Sequence, residues 1–389
     1  MKHQYINWQK GDNFPDISGI YINLMDNRTR IINTVLMKEI DRQPFKFYFG
    51  PWGETVARWE SEGLPKGTPW HAVFNFDPGI RAVNVNLGYY PAFERKVIEE
   101  REHTRIVQNH LGLLEEVLKS GSSPPRTVSS PVTDRKSWLK LRDEKLNPDS
   151  PERFPANWEN LVKEYSESEC LIQIGWFPYG LFGTLRDMMG PEPLLYAFYE
   201  DPELIHEIMD YLTDFWLKIY EKVAEKVELH VVHMWEDMSG KNGSLISPKM
   251  VSEFMVPNYK KFDAFAKKHN IPIFSLDTDG NCSQLLPLFL ESGINLVLPF
   301  EVAAGSDIVE YRKQYPTLCM NGGIDKREIA KGPEAIDREL DRIDSMFKGP
   351  GYWASVDHLI HPEISWENFK YFVTEMRKRI EKYRNTEIE

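Results

Sequence analysis

The chain has 389 residues, 41% of them apolar and 27% charged, with 11 Trp, a length and balance that suit a globular enzyme of one large domain or two modest ones. Its formal charge of −12 argues against a nucleic-acid or anionic-membrane partner, because gripping phosphate takes an excess of Lys and Arg. Cys170, Cys282 and Cys319 are too few and too scattered for a disulfide framework or a Cys-rich zinc site, so a reducing cytoplasm is the expected compartment.

The opening residues, MKHQYINWQKGDNF, have no apolar centre and read as neither a signal peptide nor a membrane span. No apolar stretch approaches the roughly 20 residues that cross a bilayer. Short β-favouring runs then recur: FKFYFG (45–50), CLIQIGWF (170–177), LHVVHMW (229–235), IPIFSL (271–276), INLVLPF (294–300), TLCMNGG (317–323) and GYWASV (351–356). An eighth, weaker run is IRAVNVNLGY (80–89). Helical patterns separate the later runs. In SPKMVSEFMVPNYKKFDAFAKKHN, Met250, Phe254, Phe262 and Phe265 recur at near-helical spacing behind a Ser247-Pro248 start.

Strand and helix alternating in this way imply a parallel β/α architecture. Eight strands imply an α/β fold of the (β/α)8 TIM-barrel type. A single domain over 1–389 is expected, with an inserted helical and loop segment at about 90–165. The competing architecture, an open doubly wound sheet, lacks a G-x-G-x-x-G after any early strand. The Pro- and Ser-dense stretch 121–157 reads as an ordered loop, and the tail from Trp366 as an amphipathic, solvated helix.

In such a barrel the loops after the strands carry the active site. The residues there are Trp52 and Glu54, then Tyr179, Glu236 with Asp237, Asp277 with Asp279, Glu301, Asp325, and Asp357 with His358 and His361. So much acid on one face requires a cation, shared protons or basic substrate groups. Each residue also has a structural reading. Asp279-Gly280-Asn281 is turn-forming, and Asn281 can cap the next helix. Asp237 can serve as a loop cap, and His361 and Asp357 read as rim residues. NGGIDK, with Asn321, is either a tight turn or a phosphate-binding loop after the seventh strand. Trp52, Trp176, Phe177, Tyr179, Trp235 and Trp353 lie at strand ends, where they serve the core or line an aromatic pocket.

Six stretches in order resemble the uroporphyrinogen decarboxylase superfamily. They are NRTRIINTVLMKEIDRQPF (27–45), GWFPYGLFGTLRDMMGPEPLLYAFYEDPELI (175–205), EDMSGKNGSLISPKMVSEFMVPNYKKF (236–262), DTDGN (277–281), NGGIDK (321–326) and GYWASVDHLIHPEISWENF (351–369). The superfamily is built on (β/α)8 barrels and includes a cofactor-free decarboxylase and zinc-dependent, corrinoid-linked methyltransferases. The decarboxylase opens with paired Arg that hold propionates. Here YFGPWGETVARW has only Arg58 and adds Glu54, which disfavours a tetra-acid substrate. The methyltransferases carry His-x-Cys-Gly-Asn and a late Cys as zinc ligands. Asp277, Asp279 and His358 stand at those places.

The resemblance therefore implies a divalent metal, with zinc the expected ion, on Asp277, Asp279 and His358, with Glu301, or else Asp237, as the fourth donor. It also implies a hard Lewis acid that polarises a methyl-bearing oxygen. The expected reaction moves the methyl of a small methyl donor, such as an aromatic ether, to a corrinoid (cobalamin) held by a separate corrinoid-binding protein. Asp237, Tyr179 and Glu236 are the acid/base candidates. Trp52, Glu54, Asp77, Trp176, Phe177, Trp235 and Asn321 are the substrate-contact candidates. The alternatives are a metal-free decarboxylase, in which Asp77 or Asp237 partners a pyrrole N–H, and a non-catalytic ligand- or corrinoid-binding barrel. A homodimer is compatible with either function.

Overall fold

Residues 25–120 and 125–385 are described by a computed structural model. The expectation for the first 14 residues lies outside them. Seven parallel strands form one curled sheet. Its members are β1 (Ile80–Ala82), β6 (Leu171–Ile174), β7 (Val231–Trp235), β10 (Ile273–Asp277), β11 (Leu296–Phe300), β12 (Cys319–Ile324) and β13 (Tyr352–Val356), paired in that order. The registers Ile80↔Leu171, Gln173↔Val231, His233↔Ser275, Ser275↔Leu296, Leu296↔Cys319 and Asn321↔Trp353 run around it.

The weak run at 80 supplies a true strand, whereas the stronger pattern at 45–50 does not. Residues 45–51 fill the place between β13 and β1 with one parallel bridge, Pro51↔Ile360. The Trp353 indole N–H reaches the Lys46 carbonyl at 2.6 Å. Pro44 and Pro51 bracket the run and have no N–H to offer a ladder. Outward aromatic packing holds it instead, with Phe45 4.7 Å from Phe76 and Phe47 5.8 Å from Phe372 between ring centroids.

Strand alternation sorts the bore into layers. Leu171, Val231, Ile273, Leu296 and Cys319 form an apolar layer with Ile31 and Val35 of the helix Asn27–Val35, which plugs the N-terminal end. Tyr48, Gln173, His233, Ser275, Asn321 and Ser355 are polar and follow further along. Outside, the long helix Pro202–Ala224 and its neighbours bury the main core.

The insertion differs from the expected helices and loops. It holds an antiparallel sheet, β2 (Lys96–Glu100), β3 (Thr104–Gln108), β4 (Leu114–Leu118) and β5 (Arg126–Ser129), ahead of the helices Arg135–Lys145 and Trp158–Ser166. β2 and β5 are exposed along their whole length, so neither has the alternating apolar face by which a strand is recognised. A two-residue hairpin, β8 (Ser239–Gly240) and β9 (Gly243–Ser244), follows β7. The tail forms the expected helix, Trp366–Lys382. Among the described residues no helix is long and apolar enough to cross a membrane.

Candidate active site at the barrel mouth

Asp277 ends β10 facing the bore. Thr278 turns outward, where its N–H donates to the Leu298 carbonyl (2.8 Å) and its hydroxyl accepts from the Met238 N–H (3.1 Å). Pinning Thr278 in this way returns Asp279 to the same face as Asp277. Gly280 then passes so close to the hairpin that a Cβ there would lie 2.6 Å from the Gly240 carbonyl oxygen, and its φ is +73°. Asn281 closes an Asx turn onto the Ser283 N–H (3.1 Å). DTDGN is therefore both a turn and a wall of the site.

Asp279 Oδ1 lies 3.3 Å from His358 Nε2, with side-chain exposures of 34% and 23%. Glu301 approaches the other ring nitrogen, Nδ1, at 3.9 Å. Glu301 also accepts the Gly280 N–H at 2.8 Å and faces Lys326 Nζ at 3.7 Å. Phe49 packs on the His358 ring at 5.0 Å. Burial first, then the Asp237 and Glu301 carboxylates, hold Asp279 up to about 7. Burial, then Asp279, Asp237 and Glu301, push Asp277 well above the carboxylate range. Burial likewise lowers His358. Near neutrality this corner of the mouth therefore places a protonated Asp277 and an Asp279 close to its titration midpoint beside an imidazole biased towards its neutral form.

Asp237, at φ +42°, leaves β7 in a left-handed conformation. Its carboxylate binds Arg186 Nη1 of the helix Leu181–Met189 at 2.6 Å. The Arg186 guanidinium lies 5.0 Å over the Trp235 ring, and Phe177 meets that indole edge-on at 4.7 Å. Trp52 packs on His361 at 4.9 Å on the rim, and Glu54 is exposed in the helix Gly53–Ser61. Trp176 is half-buried against Tyr179.

Four sequence expectations are corrected. Glu236 is fully buried and faces away from the mouth. It accepts from the N–H groups of Leu181 (3.0 Å) and Phe182 (2.6 Å) and from the Tyr259 hydroxyl (2.8 Å), anchoring a helix N-terminus. Burial pushes its carboxyl up to about 7 against those donors. Tyr179 turns into the helix layer, towards Trp216 and Gly88. Asp77 precedes β1, at the opposite end of the barrel, and binds both Nη atoms of Arg42 at 2.7 Å. Asn321 is buried in the bore, where its amide donates to the Trp353 carbonyl at 3.0 Å. NGGIDK is no free phosphate loop either, since Lys326 Nζ faces Asp357 (3.5 Å) as well as Glu301.

The proposed metal quartet does not converge. Asp279 and Glu301 address opposite nitrogens of one imidazole, and one ion binds only one of them. Among the described residues no three His, Cys, Asp or Glu side chains are grouped so as to hold a metal. The donors as placed do not fit the ion, and what they support is proton transfer. Arg186 and Lys326 are the additions that sequence reasoning missed. Arg186-Asp187 interrupts the otherwise apolar LFGTLRDMM, which was the available signal.

With the site in view, the uroporphyrinogen decarboxylase (URO-D) family model matches residues 164–379, over half of the chain. The chain belongs to the uroporphyrinogen decarboxylase family. A relative from this family, the uroporphyrinogen decarboxylase of Campylobacter concisus (strain 13826), is 24% identical over 185 residues, 46% of this chain and 51% of that protein. The chain thus spans about half the length of the curated relative it matches. A solved methyltransferase from Methanosarcina mazei superposes with a TM-score of 0.58 at 13% identity, covering 92% of this chain and 99% of that one. The superposition establishes the shared barrel fold.

Proposed function

We propose that this family member transfers a methyl group from a small methoxylated donor, with Asp279 as the general acid. The supporting observation is a part-exposed carboxyl, raised to about 7, set against His358 at the mouth of the barrel. The bond that breaks joins the methyl carbon to oxygen. The oxygen leaves with the electron pair and takes the Asp279 proton, and the methyl passes to a nucleophilic acceptor. A corrinoid on a partner protein is the expected acceptor and, when docked, supplies that nucleophile. Asp277 and His358 hold the adjacent protons, and Trp235 and Phe177 shield the donor from water.

Decarboxylation of a tetra-acid is the competing activity within the family. The described cations near the mouth weigh against it, because Lys326 and Arg58 already face carboxylates at 3.5 and 2.6 Å and Arg186 has one nitrogen committed to Asp237 at 2.6 Å. The exposed Lys241 of the β8–β9 hairpin stands apart from any cationic cluster that could hold four carboxylates. The test is anaerobic demethylation of a methoxylated panel with cob(I)alamin, before and after chelation. Methyl transfer that survives chelation and falls about 100-fold in Asp279→Asn is expected. Carbon dioxide release without methyl transfer would sink the proposal. Activity lost on chelation and restored by zinc would return Asp279 and His358 to a ligand role.

A further inference from the structure

Arg186 is only partly used. Its Nη1 donates to the Asp237 carboxylate (2.6 Å) and to the Asp237 carbonyl (3.0 Å). Its Nε and Nη2 have no acceptor among the described residues. The side chain is 21% exposed, so this donor edge is neither fully solvated nor satisfied. The plane of the group is set from two sides. Asp237 fixes one nitrogen, and the guanidinium lies over the Trp235 ring at 5.0 Å. Trp235 cannot retreat, because a Cβ on Gly183 would already lie 2.6 Å from its indole. Phe177, 65% exposed, stands edge-on to the same indole. A planar cation with two free donors beside an uncovered aromatic ring matches a carboxylate attached to a flat apolar group. The charge of Arg186 is also felt at Asp279, so the two ends of a bound molecule face different chemistry.

We propose that Arg186 is the substrate-recognition residue of the mouth and anchors the single carboxylate of an aromatic acid whose ring packs on Phe177 and Trp235. Coupled to the methyl transfer proposed above, on which this extension rests, the donor class is a methoxylated aromatic carboxylic acid. One carboxylate fits where four do not, because among the described residues Arg186 is the mouth cation that combines a fixed plane with an aromatic wall and a free edge. A phosphate dianion is a poorer match, since Lys326 is already shared between Glu301 and Asp357. Asp237 is a positioning residue that holds the guanidinium flat.

The experiment measures binding without turnover. Calorimetric titrations of the full chain with benzoate, benzamide and cyclohexanecarboxylate are compared in wild type, Arg186→Met and Arg186→Lys. Benzoate is expected to bind at least tenfold tighter than the other two. Arg186→Met should erase the advantage over benzamide by weakening benzoate at least tenfold more than benzamide, and Arg186→Lys should keep only part of that advantage. Benzoate affinity that is unchanged in both variants, equal affinity for benzoate and benzamide, or no benzoate binding to wild type would overturn the assignment. If Arg186-dependent benzoate binding is found but methoxybenzoates are not demethylated, the recognition site stands and the methyl-transfer proposal falls.

Discussion

Asp77→Asn separates a structural role from the catalytic one that the decarboxylase alternative gives this residue. Asp77 accepts two 2.7 Å bonds from Arg42 and the Phe45 N–H at 2.8 Å. Both side chains of the ion pair are 14% exposed. Burial works against the charge, but the Arg42 fork and the Phe45 N–H prevail and hold the carboxyl below its usual range. Asn keeps the shape, yet its one oxygen cannot serve three donors, and its NH2 points at one of them. Leaving a near-buried guanidinium half-paired costs about 3 kcal/mol. The loss falls where it hurts most, because residues 45–51 close the barrel with a single bridge. Equilibrium urea unfolding should show the midpoint lowered by about 0.5–1 M. For a carboxyl whose folded pKa is depressed, the stabilisation is present above the unfolded value of 3.8 and is lost as pH falls through the folded one. The difference between wild type and variant should therefore be flat from about pH 5 to 8 and shrink below about 3.8. The KM and kcat of the folded variant should be unchanged. An unchanged urea midpoint with a 100-fold fall in kcat would refute the structural assignment and restore Asp77 to the site.

Glu236→Ala should leave the Leu181 and Phe182 N–H groups and the Tyr259 hydroxyl without an acceptor, costing about 3 kcal/mol and speeding hydrogen exchange along the helix Leu181–Met189. His233, lowered by burial from 6.5 to about 3, binds a proton more readily when unfolded. Stability should therefore rise with pH across that window, by up to about 1.4 kcal/mol per unit. The slope difference between wild type and His233→Asn measures it. Asp279, raised to about 7, must be protonated to act, so kcat should decline as pH climbs through that value. A decline that persists in Asp279→Asn would assign the titration elsewhere.

Local pattern sufficed for the strands of the parallel ladder. β7, β10, β11, β12 and β13 are near-continuous apolar runs, and the acids that follow them were visible as mouth residues. What failed was any feature set by contacts distant in sequence. The run at 45–50 has the alternation of a strand, but its partners are aromatic rings from 76, 369 and 372. The inserted sheet is solvated on its outer strands and leaves no binary pattern to read. Glu236 and Asp237 are adjacent acids in one loop, and sequence treats them alike. A left-handed residue and a helix N-terminus more than 50 positions away send one outward and the other to Arg186.

The amino-acid sequence by itself determined the β/α repeat, the barrel and the acidity of its open end, because these follow from side-chain periodicity and from which residues follow each strand. The fold alone decided which acids share protons and which are tied down. Asp277 holds its proton and Asp279 is brought to titrate near neutrality because burial and converging carboxylates penalise their charge, whereas Asp77 stays ionised because Arg42 meets it. Proximity and desolvation are properties of three-dimensional placement, and no window of sequence carries them.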